Sequence, residues 1–192
     1  EDLSIATRFE VFEDLSKERS DRYQYIYPDF TITKLINTES DLKGELSFTS
    51  SGSQKNYDTN IYESVLINDF AYNSIPFFLK NGITNNLKFL FKNVNTKGQK
   101  SSNYKDKLSS ENFGAFSFNS SFPLKKSGKN TNSYFTPKAS FRFSPNKSRN
   151  QKDSDRRIDF NNIFSLNRIA VSDSVEGGQS LTIGSEYILK KK

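Results

Sequence analysis

The chain has 192 residues, a formal net charge of +6 and only 33% hydrophobic residues, so a soluble domain of this length would have a small apolar core. Aromatic residues reach 14%, which argues against an intrinsically disordered chain. Histidine and cysteine are absent, which removes the commonest general base and the commonest zinc ligands. We therefore expect no enzyme, no cofactor and no metal site.

Alternation of apolar and polar residues predicts strands from the N-terminus onward. In the first, Leu3, Ile5, Phe9 and Val11 share a face. Later, Phe116, Phe118 and Phe122 lie opposite small polar residues. The apolar phase changes within 58–72, which predicts a β-bulge there. In chain order, about eight strands are predicted at 3–14, 22–34, 43–55, 58–72, 84–95, 112–124, 133–145 and 178–190.

The predicted connections differ in length. Those at 36–42, 74–82 and 125–132 are short, whereas 96–111 and 146–177 are long and polar. In an up-and-down meander alternate connections lie at the same end, so both long loops would share one end of the sheet. Outer-membrane barrels have this asymmetry of short turns and long loops.

Aromatic residues also cluster near the predicted strand ends, where the interfacial girdle of a membrane barrel would lie. These residues are Tyr23, Tyr72, Phe113, Tyr134, Phe135 and Tyr187. We predict an all-β fold of antiparallel up-and-down strands that forms a partial segment of a large transmembrane β-barrel. A soluble β-sandwich is the alternative, because its strands alternate in the same way.

Two segments resemble a known family. Residues 22–34 read RYQYIYPDFTITK, and 137–145 read PKASFRFSP. A polar loop then leads to Gly177-Gly178 and a strand containing Leu181 and Gly184. The order and spacing resemble the LptD family of lipopolysaccharide-assembly proteins of Gram-negative outer membranes. The chain departs from that pattern at Val171, where the family often has glycine before an Asp-Arg-Ile triplet.

The resemblance implies that 1–192 belongs to one outer-membrane barrel domain and is a middle slice of a barrel of about 26 strands. The complete protein would translocate lipopolysaccharide and insert it into the outer leaflet. Implied partners are lipopolysaccharide, outer-membrane lipid, a periplasmic lipopolysaccharide-bridge protein and a plug lipoprotein similar to LptE. No nucleic-acid partner is implied.

The candidate site residues form two groups. Arg8, Lys88, Lys138 and Arg142 lie on the polar faces of strands, where they would either meet lipopolysaccharide phosphates or only solvate the lumen. The second group should order the long loop, and it comprises Asp159, Asn162, Phe164, Arg168 and Asp173.

Charged and apolar residues are mixed in this loop. Ion pairing within the loop or plain solvation is expected for a charged cluster that comprises Asp153, Asp155, Arg156, Arg157, Arg168 and Glu176, together with Asp159 and Asp173. The apolar residues should pack inward and anchor the loop, and they are Phe160, Ile163, Phe164 and Leu166.

Two rival functions stay open at this point. The first is another outer-membrane barrel, a porin or a receptor, which would have the same regular succession of alternating strands. The second is a soluble basic β-domain that binds nucleic acid, with the KFLFK segment at 88–92 supplying phosphate contacts and stacking rings. Heat-modifiable, detergent-stable folding would favour a barrel, and salt-dependent DNA binding would favour the soluble domain.

Overall fold

The protein is all-β. The structure, a computed structural model, describes residues 2–17, 22–37, 43–57, 60–147, 158–169 and 171–192. Its ten strands are β1 (Leu3–Glu13), β2 (Tyr23–Asn37), β3 (Gly44–Tyr57), β4 (Ile61–Ser74), β5 (Phe77–Phe78), β6 (Thr84–Gln99), β7 (Ser109–Ser121), β8 (Leu124–Ser127), β9 (Thr131–Ser144) and β10 (Gly178–Lys191). Eight correspond to the predicted strands, and the short β5 and β8 are additional.

The strands form one antiparallel up-and-down sheet in the order β1-β2-β3-β4-β6-β7-β9-β10, with β5 paired to β6 and β8 paired to β9. Within the described residues the sheet is not closed into a barrel, because β1 and β10 each pair on one side only. The meander is confirmed, whereas membership of a larger transmembrane barrel stays a proposal.

Both long connections differ in detail from the prediction. The loop predicted at 96–111 is shorter, because β6 continues to Gln99 and β7 begins at Ser109. The prediction missed this extension of β6 because the exposed side chains beyond residue 95 are polar. The opposite face of β6 nevertheless stays buried through Thr96. The loop between β9 and β10 runs from 145 to 177, and residues 148–157 and 170 lie outside the described part.

The chain packs as two compact units. The first comprises Glu1–Ile36, Leu46–Phe70 and Phe91–Phe113, and the second comprises Asn37–Glu45, Ala71–Leu90 and Gly114–Lys192. The second unit contains the β9–β10 loop and most of the predicted site residues.

In the first unit, the irregularity of register lies between Arg8 and Glu10, where β1 pairs with β2. In the 58–72 segment, Ile67 is buried whereas Leu66 and Phe70 are exposed. Apolar side chains therefore occupy both faces of β4 at this point. This distribution accounts for the change of phase in the sequence, and the β-bulge within 58–72 stays a prediction.

The first unit also buries charge. Lys92 is 6% exposed, and its Nζ lies 2.7 Å from Asp69 Oδ2. Phe113 is 5% exposed, so its assignment to an interfacial girdle is wrong, because it belongs to a buried face.

Near the start of β4, three donors converge on one carboxylate oxygen of the buried residue Glu63, Oε1. It accepts hydrogen bonds from the Tyr57 hydroxyl at 2.8 Å, from Asn103 Nδ2 at 3.0 Å and from the Ser101 hydroxyl. The carboxylate of Glu63 therefore anchors the 100–108 loop to β4.

In the second unit the usual distribution of burial is inverted. One face of β7, β9 and β10, the polar face, comprises Ser117, Asn119, Ser140, Arg142, Ser144 and Thr182, and five of these six residues are buried. Asn119 is half-buried. The opposite apolar face comprises Phe116, Phe118, Phe141, Phe143, Leu181 and Ile183. Arg142 is 3% exposed, whereas Ile183 is 78% exposed. Soluble domains place their apolar residues the other way round.

Candidate functional site on the polar face

The side chain of Arg142 connects β9 to the long loop. Its Nε donates a hydrogen bond to the Leu166 carbonyl oxygen at 2.5 Å, and its Nη2 donates to the Glu176 carbonyl oxygen. These acceptors lie 24 and 34 residues along the chain. The planar fork of donors on arginine suits such bridging. The guanidinium therefore fixes both ends of the 166–176 segment against the polar face.

An ion pair joins two residues of this same segment. Arg168 Nε donates to Glu176 Oε2 at 2.8 Å, and Arg168 Nη2 donates to Glu176 Oε1. The hydrogen bond with Glu176 raises the pKa of Arg168 more than burial lowers it. Burial raises the pKa of Glu176, but hydrogen bonds from Arg168 and the charge of Arg142 outweigh it and hold that pKa below its ordinary value. The carboxylate is therefore stabilised in its charged form.

Asn167 also joins the start of this segment to its end. Its Nδ2 donates to the Ser174 carbonyl oxygen at 3.1 Å, and its Oδ1 accepts the backbone N–H of Glu176 at 3.1 Å. Ser174 and Val175 are fully buried beneath this arrangement. Asparagine is well suited to the role because its amide both donates and accepts.

The start of the described loop is built from reciprocal turns. Asp159 Oδ1 accepts the N–H groups of Asn161 at 2.8 Å and Asn162 at 3.2 Å, and Asn162 Oδ1 accepts the N–H of Asp159 at 2.9 Å. Short polar side chains favour turns through such local bonds to the backbone. The turns bring Phe164 to the polar face.

Phe164 packs over Gly184 of β10. A Cβ added at Gly184 would lie 3.1 Å from Cζ of the ring, so the glycine permits this close approach. Phe160 is 86% exposed, so the expectation that it packs inward is wrong.

Lys88 and Lys138 lie together on a cavity of about 310 Å³, which Phe164 also lines. Lys138 Nζ lies 2.6 Å from Glu186 Oε2, whereas Lys88 is half-buried and has no ion pair with any residue that the structure describes. Phe164 and Lys138 also border a neighbouring cleft of about 780 Å³.

The remaining predicted residues are taken one by one. Arg8 belongs to the first unit, where its Nη2 lies 2.6 Å from Asp29 Oδ2. Asp173 is half-buried in the turn before Ser174. The predicted charged residues Asp153, Asp155, Arg156 and Arg157 lie outside the described residues.

The second unit therefore brings Arg142 and Arg168 together around Glu176, and it places Phe164 on the same cavity as Lys88 and Lys138. Sequence reasoning missed Asn167, which is one of many asparagines in the chain and carries no distinguishing signal. It also missed the polar residues around the two lysines.

The chemistry on this face is hydrogen bonding and ion pairing. The described residues contain no group of three side chains able to hold a metal ion, and no helix among them is long and apolar enough to cross a membrane. No protein-family model matches the chain, and a search of curated proteins found no match.

Proposed function

We propose that this chain forms part of the wall of an outer-membrane β-barrel, and that the complete barrel carries lipopolysaccharide to the outer leaflet. The observation that carries the proposal is the inverted burial of the second unit. Leu181 is 69% exposed on the apolar face, while Ser140 is 5% exposed on the polar face.

Lipid gives this inversion a physical reason. Burying one large aliphatic side chain is worth about 1.5–3 kcal/mol, so a broad apolar face in water forgoes that stabilisation at every position. A barrel strand in a bilayer directs its apolar residues to lipid and its polar residues inward. The long strands, of 11 to 16 residues, also reach or exceed the roughly 9–11 that a bilayer requires.

The two edges of the sheet support a larger assembly. β1 and β10 each have one side without a paired strand in the described part of the chain. An unpaired backbone group in the bilayer costs several kcal/mol, so both edges would need partner strands there. Lipopolysaccharide as the cargo is supported by the resemblance of 22–34 and 137–187 to the LptD family.

Cysteine labelling of β10 tests the membrane placement. The chain has no native cysteine. Leu181 and Ile183 are 69% and 78% exposed, and the side chain of Glu186 on the polar face is 52% exposed. In the intact protein in a Gram-negative envelope, Glu186→Cys should react with a water-soluble maleimide, while Leu181→Cys and Ile183→Cys should be protected. Equal labelling of all three would overturn the barrel and favour the soluble β-domain.

Depletion of the protein tests the cargo. Loss of the protein should lower lipopolysaccharide at the cell surface, because the proposal makes this barrel the route to the outer leaflet. Normal surface lipopolysaccharide with a defect in solute uptake would indicate a porin or receptor instead. The cysteine labelling tests the membrane placement and does not depend on the cargo. The barrel and the lipopolysaccharide cargo can therefore be refuted separately.

A further inference from the structure

One end of the second unit carries a cluster of exposed lysines. It is formed by the hairpin between β8 and β9 and by the last residues of β10, which the register places beside the start of β9. Lys192 Nζ joins the two parts by donating to the Gly128 carbonyl oxygen at 2.8 Å. This lysine end comprises Lys125, Lys126, Lys129, Lys190, Lys191 and Lys192. It lies opposite to the long loop, because β9 begins here and ends at that loop.

The positive charge of the lysine end is not balanced by side chains of the described residues. Residues 122–135 and 187–192 contain no carboxylate side chain, and none of the lysines of this end forms an ion pair with a described residue. Lys138, further along β9, is by contrast paired with Glu186 at 2.6 Å. A group of like charges raises the local electrostatic potential and attracts ions of the opposite sign. The lysine end is therefore suited to an anionic partner.

Two of the lysines lie on the polar face. Lys125 is paired with Tyr134, and Lys190 lies two residues beyond Ile188, the partner of Tyr134 on β10. Because side chains alternate along a strand, Tyr134 is on the same face as Arg142. The two Nζ atoms lie 5.8 and 5.7 Å from the centre of the Tyr134 ring. Cation–π attraction, which acts within about 6 Å of a ring, therefore holds both ammonium groups on the polar face.

Lys126 and Lys191 lie on the opposite, apolar face. Lys126 follows Leu124 by two residues on β8, and Lys191 follows Leu189 by two residues on β10, so each lysine shares a face with the leucine before it. Leu124 and Leu189 are 42% and 57% exposed. The exposed apolar face therefore ends in two ammonium groups at this end of the sheet.

Tyr187 lies at the same boundary. It is paired with Phe135, which is paired in turn with Leu124, so a row of apolar side chains crosses β8, β9 and β10. The Tyr187 hydroxyl donates to the Ser133 hydroxyl at 3.2 Å, and Ser133 is the partner of Lys126. Tyrosine side chains with an apolar ring and a polar tip are typical of membrane–water interfaces. Apolar side chains, hydroxyl groups and ammonium groups thus follow one another toward the end of this face.

From this order we propose that Lys126 and Lys191 bind the anionic headgroups of acidic glycerophospholipids, while the neighbouring apolar row meets their acyl chains. The surface fits a lipid because it offers an apolar part and, next to it, a cationic part to one amphiphilic molecule. An acidic protein segment would satisfy the lysines and leave the apolar row uncovered. The inference rests on the proposed barrel and adds the class of lipid that its lysine end selects.

Photocrosslinking from position 135 tests the inference locally. Benzoylphenylalanine in place of Phe135, on the apolar row, captures a neighbouring lipid through its acyl chain. In bilayers with equal amounts of phosphatidylglycerol and phosphatidylcholine, the lipid captured by the intact protein should be enriched in phosphatidylglycerol by about fivefold, the factor expected from one lysine near an anionic surface. Added salt should lower this enrichment. Lys126→Gln combined with Lys191→Gln should abolish it.

Lys125→Gln combined with Lys190→Gln is the matched control. This pair removes the same charge from adjacent positions of the same two strands, but on the opposite face, so the enrichment should persist. Equal loss of enrichment in the two double variants, or enrichment that persists without Lys126 and Lys191, would overturn the site.

The same crosslinking separates the lipid from other partners and from the barrel itself. Capture of a protein in place of lipid in native envelopes would overturn the lipid and indicate a protein partner. Equal capture of the two lipids by the protein with all its lysines would refute this inference alone. No capture of lipid, together with maleimide labelling of Leu181→Cys, would refute the barrel on which the inference rests.

Discussion

Arg142→Leu should release the 166–176 segment from the sheet. The wild-type guanidinium donates to two carbonyl oxygens, of Leu166 and Glu176, and a hydrogen bond from a charged donor is worth about 1.5–3 kcal/mol. Arg142 Nη1 is buried with no hydrogen-bond partner among the described residues. Two such bonds are worth about 3–6 kcal/mol together and removing the unsatisfied group returns about 1–3 kcal/mol, so the midpoints of these ranges give a net loss of loop docking of about 2–3 kcal/mol.

Amide hydrogen exchange at Glu176 measures this loss directly. Its N–H is bonded to Asn167 Oδ1 when the loop is docked. At 1.36 kcal/mol for each factor of ten, protection of this amide should fall by about 30- to 150-fold in Arg142→Leu. Arg8→Leu is the control, because Arg8 is an arginine on a strand of the first unit, and it should leave this amide unchanged.

Unchanged protection at Glu176 in Arg142→Leu would refute the assignment of Arg142 as the residue that holds the loop. Arg142→Lys separates charge from geometry. A single ammonium lacks the fork that reaches both carbonyl oxygens, so protection should lie between those of the wild type and the leucine variant. Circular dichroism of each variant checks that the strands are intact.

Two further predictions concern the same loop. The pKa of Glu176 is below its ordinary value when the loop is docked, so docking should be complete above the ordinary carboxyl pKa of about 4.3 and should weaken as pH falls through the docked value. Exchange measured against pH should show this loss, and Glu176→Gln should abolish the dependence; a dependence that survives in the variant would contradict it. Gly184→Ala should weaken docking by about 1 kcal/mol, because its Cβ would lie 3.1 Å from the Phe164 ring. A Cβ added at Gly114 meets nothing within 4 Å, so Gly114→Ala should be neutral or stabilising in thermal unfolding. If Gly114→Ala destabilised the protein more than Gly184→Ala, the packing of the Phe164 ring over Gly184 would be contradicted.

Much of the strand framework could be predicted from the sequence. The strands predicted at 133–145 and 178–190 are observed as Thr131–Ser144 and Gly178–Lys191. Alternation is a local property of the extended backbone, because successive side chains point to opposite faces. Prediction of strands from this alternation fails where one face has no apolar residues. This is the case at the end of β6, which continues to Gln99.

The candidate site was predicted less completely. Asp159 and Asn162 act through bonds to neighbouring backbone, which short polar residues favour in any sequence. The arrangement around Arg142 depends on acceptors in a loop with no periodic pattern. Nothing in the sequence marks the carbonyl oxygens of Leu166 and Glu176 as its partners, because every residue carries such an oxygen.

The division of the strands into a polar and an apolar face follows from the order of residues alone, since a side-chain period of two requires no other part of the chain. Only the tertiary structure decided that Arg142 is buried while Ile183 is exposed. Burial depends on which segment covers a face, and here the loop reaches the polar face through bonds that span 24 and 34 residues. Contacts of that range arise from the path of the folded chain, which local preference does not encode.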